Sequence, residues 1–205
     1  MSNIDYIFEE KAADIGNFLV GRLLPFKQKR SIGPFVFIDH MGPAVMKAGE
    51  NLDVAPHPHI GLSTLTFLFE GAVHHKDSLG NDVVIEPGAV NWMTAGHGVV
   101  HSERTPEHLR NVEKTMHGLQ IWIALPKELE NMDPNFVHIE SKDLPIWKEG
   151  TTNFKLIAGE FEDKKSRVPV YSKLYMIEIK AYEDQTINLH DRLYGESGLY
   201  ILEGE

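Results

Sequence analysis

Short runs of apolar, β-branched and aromatic residues recur every ~8 to 12 positions along this chain, and turn-forming residues separate them. In the first part, strands are expected over 35–39 (FVFID), 63–71 (STLTFLFEG), 72–77 (AVHHKD), 82–88 (DVVIEPG), 90–95 (VNWMTA) and 118–125 (GLQIWIAL). The stretch DSLGND (77–82) has hairpin-turn chemistry, because Gly80 and Asn81 tolerate positive φ, and Pro87-Gly88 marks a second tight turn. Helical periodicity is weak. Its best examples are 105–115 (TPEHLRNVEKT), with Thr105 as a cap, and the short 126–132 (PKELENM). Short strands with glycine- and proline-rich turns predict an all-β sandwich or barrel.

After residue 135 the strand pattern resumes, over 153–161 (NFKLIAGEF), 169–182 (PVYSKLYMIEIKAY), 185–189 (QTINL) and 198–205 (GLYILEGE). The last of these echoes STLTFLFEG, since both are apolar strands closing on Glu-Gly. Upstream of the echo the first half has a His-x-His pair, whereas the second half has only His190. A tandem duplication follows: an N-terminal domain over 1–133 and a partial C-terminal copy over 134–205 that lacks a metal site. An incomplete copy would leave an open strand edge, which N-terminal strands or a second chain in an oligomer would cover.

Candidate chemistry lies in two short stretches. APHPHIG (55–61) holds His57 and His59 with Pro58 between them, and GHGVVHSE (96–103) holds His101 and Glu103 at the same spacing. Side chains at i and i+2 of a strand share a face. If the two stretches are neighbours across a sheet, the four side chains lie within reach of a single ion. An isolated His-x-His is often structural or surface-placed, and the second pair at strand spacing is what makes a site the better reading. Three imidazoles and a carboxylate suit one borderline divalent ion: iron(II), nickel, copper, manganese or zinc.

Composition narrows the function. Hydrophobic residues make up 42% and charged residues 24% of the 205, which is ordinary for a folded domain. The net charge of -10 argues against direct nucleic-acid binding and favours a protein partner or a small molecule. The absence of cysteine excludes disulfides and thiolate ligands and fits a cytoplasmic setting. No run approaches the ~18 apolar residues of a membrane span.

The blocks HPHIGLSTLTFLFEG, HKDSLGN, PGAVNWMTAGHGVVHSE and HGLQIWIALP, in that order, resemble the signature blocks of the pirin family of the cupin superfamily. That resemblance implies two jelly-roll β-barrels in tandem, the first holding one metal, usually iron(II), on His57, His59, His101 and Glu103. It implies quercetin 2,3-dioxygenase activity on a flavonol-like enol, with Glu103 taking the substrate proton. It also implies a second reading, an iron-dependent redox sensor that binds a transcription regulator or metabolic enzyme. The chain departs from the family in its short C-terminal copy and at His97, where arginine is usual. Ser63 and Thr64 also stand where the general cupin motif has its glutamate. Trp92, Met93, His97 and His117 are the candidate pocket residues. For His74 and His75, which face opposite ways on one strand, the hairpin position favours a solvated end.

Overall fold

The computed structural model describes residues 4–16 and 18–204. Residues 1–3 and 17 of the expected first domain, and Glu205 of the expected last strand, lie outside the described residues. Strands dominate: β1 (Lys11–Asp14), β2 (Leu19–Leu24), β3 (Phe35–Met46), β4 (Asp53–His59), β5 (Leu62–Glu70), β6 (Val73–Asp77), β7 (Asp82–Ile85), β8 (Val90–Thr94), β9 (Val99–Arg104), β10 (Lys114–Ala124), β11 (Asn135–Ile139), β12 (Ile146–Glu149), β13 (Thr152–Phe161), β14 (Lys164–Lys165) and β15 (Tyr175–Lys180). No helix among the described residues is long and apolar enough to cross a membrane.

The strands form a sandwich with an added layer. A seven-stranded sheet runs β1-β2-β3-β10-β5-β8-β11, and a four-stranded sheet running β4-β9-β6-β7 closes the N-terminal barrel. A smaller C-terminal sheet, β12-β13-β14 with β15 on β13, lies on the far side of the large one. This is the expected all-β cupin architecture, with a smaller C-terminal sheet after the first barrel. The expected boundary at 133 falls just before β11, which pairs with β8 of the large sheet.

The large sheet is buried on both faces, and β5 shows how. Thr66 points to the barrel interior, where its hydroxyl meets Glu103. Leu65 and Phe67 point the other way, into a core shared with Trp92, Ile121 and Ile123 and with Ile157 and Leu174 of the C-terminal part. A second apolar cluster of Leu68, Met116, Val73 and Ile85 joins the two barrel sheets. The barrel interior is therefore apolar in one region and polar in another, and the polar region carries the histidines.

Two expected helices shrink to single 3-10 turns, Glu107–Leu109 and Lys127–Leu129. Neither turn buries a side chain, so no apolar face stabilises a longer helix. The expected cap residue Thr105 instead exchanges hydrogen bonds with the backbone of Leu52, and Arg110 pairs with Asp53 at 2.7 Å. These contacts tie the segment to the barrel as a loop. The expected strands at 185–189 and 198–204 have no strand partner, and the 169–182 segment pairs only over Tyr175–Lys180.

Candidate metal centre

Three adjacent strands each supply two inward-facing side chains. On central β9, His101 pairs across from His57 of β4 on one side and from Asp77 of β6 on the other. Glu103 pairs across from His75 of β6. A register shift between Val54 and His57 sets this alignment. Pro56 and Pro58 lack backbone donors, which suits β4 to the sheet edge it occupies.

The expected imidazoles converge. Ring centroids lie 4.4 Å apart for His57 and His101, and 4.9 Å apart for both His57–His59 and His59–His101. One ligand atom from each lies within 4.8 Å of the others. Glu103 joins a second such group with His75 and His101. His101 is the member common to both.

The electronic state of the cluster suits a cation. His59 and His101 each have a buried Nε2 with no hydrogen-bond partner. Such orphaned acceptors are costly unless something fills the point they face. His57 Nδ1–H donates to the Ala55 carbonyl at 2.9 Å, which leaves its Nε2 lone pair free. Burial, then the nearby His57, lowers the pKa of His59 to about 4. Burial and the surrounding His57, His59 and His75 lower that of His101 to about 2. Both rings are thus neutral at physiological pH, the form that ligates metal. Burial raises the pKa of the Glu103 carboxyl, against the opposing pull of His75 and the hydroxyl bond from Thr66 at 3.0 Å. The donor set and its orphaned nitrogens fit one divalent ion.

These shifts predict an acid-sensitive metal-free protein. In the unfolded chain a histidine takes up its proton near pH 6.5, whereas folded His59 waits until about 4. Their contribution to stability is present above 6.5 and is lost as pH falls, by about 1.4 kcal/mol per pH unit for each such group. Urea midpoints of the metal-free protein should therefore fall steadily between pH 6.5 and 4. A flat profile across that window would contradict the buried, neutral imidazoles.

The other expected pocket residues divide. Met93 faces the barrel interior and clusters with Ala95, Val99 and Phe136. Trp92, its neighbour, points to the opposite face and packs in the core shared with Ile157 and Leu174, away from the histidines. His97 sits on an exposed turn, 3.5 Å from Asp133. His117 also faces away from the barrel interior: its Nε2 lies 3.0 Å from that of His40, and its ring packs on Phe69. The residues that join the cluster instead are Trp122, whose ring meets His59 edge-on at 5.1 Å and stacks on Phe37 at 4.1 Å, and His75. His75 is 2% exposed, not solvated, whereas His74 faces outward to Asp82. The signal available for His75 was its spacing to Asp77, which repeats the i, i+2 pattern of the two quoted pairs.

The profile of the family described as Pirin matches residues 17–123. The chain belongs to the pirin family. Pirins are cupins, in keeping with the architecture above. A pirin-like protein of Caulobacter vibrioides is 50% identical over 204 residues, which is 98% of this pirin-family chain and 70% of that protein. A crystal structure described as quercetin 2,3-dioxygenase from Acinetobacter baumannii superposes with a TM-score of 0.80 at 44% identity, over 86% of this chain and 57% of that one. A second structure so described from the same organism gives 0.76 at 30% identity, over 83% and 61%. The chain thus spans between 57% and 70% of the length of these pirin relatives.

Proposed function

We propose that His57, His59, His101 and Glu103 hold one divalent metal ion, iron(II) by preference, and that the site serves quercetin 2,3-dioxygenase-type ring opening of a flavonol or related enol with O2. The observation that carries the reading is the convergence of three imidazoles, two of which, His59 and His101, have a buried Nε2 with no hydrogen-bond partner. Similarity to the Acinetobacter baumannii structures described as quercetin 2,3-dioxygenase supports the reaction class. An ion of this kind, when bound, supplies Lewis acidity towards an enol oxygen and one-electron chemistry with dioxygen.

The chain's own residues supply the rest. The carboxyl of Glu103, buried and with its pKa raised by that burial, is the group placed to accept the enol proton, and Thr66 holds its orientation. The stacked Phe37 and Trp122 present a flat apolar wall beside His59 that suits a planar aromatic substrate. His57 is only half-buried, unlike His59 and His101, so substrate reaches the cluster from the β4 side.

The test is anaerobic loading with iron(II), then quercetin in air. The expected result is loss of the flavonol absorbance with release of carbon monoxide, and no loss after chelation. Fully loaded protein that leaves quercetin intact would remove the flavonol reading and leave a metal-binding module.

A further inference from the structure

The side of the cluster away from His57 and His59 has a construction that the four proposed ligands do not explain. β6 carries its own pair, His75 and Asp77, facing the same interior. Their side chains are 2% and 0% exposed. Asp77 is saturated as an acceptor. Its Oδ1 takes the backbone N–H groups of Leu79 and Asn81 at 2.9 and 3.1 Å, and its Oδ2 takes the Asn81 amide at 2.9 Å and His75 Nε2 at 3.0 Å. Burial works to raise its pKa, but the hydrogen bonds from His75 and Asn81 prevail and hold it below the usual carboxylate range. Phe136 stacks on the His75 ring at 4.4 Å and 18°, which fixes the ring plane. The other nitrogen, His75 Nδ1, lies 3.4 Å from His101 Nδ1.

An ionised carboxylate has no proton to give, so His75 Nε2 carries the hydrogen and donates it to Asp77. The Nδ1 of His75 is then a bare acceptor. His101 meets it by carrying its own hydrogen on Nδ1, which leaves the lone pair on Nε2, the buried atom with no partner. We propose that Asp77 and His75 are positioning residues that fix the tautomer and ring orientation of His101, so that its Nε2 stays available to the metal. The inference rests on the metal-centre reading above. It adds a carboxylate–histidine–histidine chain running from the β6 turn to the ion, a longer form of the outer support common at metal-bound imidazoles.

The experiment compares wild type with His75→Leu, His75→Gln and Asp77→Asn, using cobalt(II) as the probe and ring nitrogen NMR on the metal-free protein. In metal-free wild type, His101 should carry its hydrogen on Nδ1. His75→Leu removes the acceptor, and cobalt affinity should fall roughly 10- to 100-fold, with a shifted visible spectrum. His75→Gln offers a side-chain carbonyl to the same hydrogen and should restore most of that affinity. Asp77→Asn should move the His101 hydrogen to Nε2 and weaken cobalt binding. Its urea midpoint shows whether the turn survives, and if it does not, the two His75 variants decide. The inference falls if wild-type His101 is protonated on Nε2, or if His75→Leu binds cobalt like wild type with the same spectrum. Wild type that fails to bind cobalt sinks the metal reading itself. In that case the NMR result still decides whether the chain orients His101.

Discussion

Replacing His101 with alanine is expected to abolish tight binding of a divalent ion. His101 sits on the central strand of the three that build the cluster, and it is the one side chain shared by both groups of donors. Without it, His57 and His59 remain as a pair on an edge strand, and Glu103 and His75 remain on the other side with no imidazole between them. The loss should exceed the roughly 100-fold that removal of an outer hydrogen bond can cause, because a direct donor is gone. The metal-free variant should also be less sensitive to acid. An imidazole whose pKa is lowered to about 2 opposes acidification in the folded state, and its removal should make the decline between pH 6.5 and 4 shallower. Metal content after purification, a competition titration and urea midpoints across pH check all three statements. Unchanged metal content would exclude His101 from the site.

Much of this arrangement was legible in the sequence because β-strands have a side-chain period of two. That period alone placed His57 with His59 and His101 with Glu103 on shared faces, although the strands that carry them, β4 and β9, were not among those expected from the apolar pattern. It could not say which strand would lie beside β9 on its other flank. The reading of His75 as a solvated hairpin end failed because its partners come from elsewhere. Asp77 turns inward with it, and Phe136 reaches it from β11, some sixty positions on. The period also leaves the facing of doubly buried strands undetermined. In β8 the run VNWMT is buried throughout, so nothing in its pattern distinguishes the face of Met93 from that of Trp92. His117 was misplaced for the same reason, on a strand whose two faces are both covered. The strands expected at 185–189 and 198–204 failed differently. A strand exists only beside a hydrogen-bonding neighbour, and at 198–204 the Tyr200 hydroxyl instead meets Glu10 and His40.

Trp92→Ala should separate scaffold from site. The indole is 1% exposed, belongs to the core between the large sheet and the C-terminal part, and donates its Nε1–H to Thr94 Oγ1 at 2.9 Å. Truncation of so large a buried ring typically costs about 3–5 kcal/mol, from lost burial and the cavity left behind. The neighbours cannot close that cavity easily, because Leu65, Phe67 and Ile121 are held on strands of the same sheet and Ile157 is held on β13 of the opposing one. The loss should appear in the urea midpoint and in earlier thermal unfolding. Metal affinity of the folded fraction should be unchanged, since β8 presents only the opposite face, through Met93, to the barrel interior. A Trp92→Ala protein with normal stability and weakened metal binding would reverse the assignment of faces. Because the register fixes all of β8 and β5 together, the same result would also turn Thr66 away from Glu103 and remove the support proposed for the catalytic carboxylate.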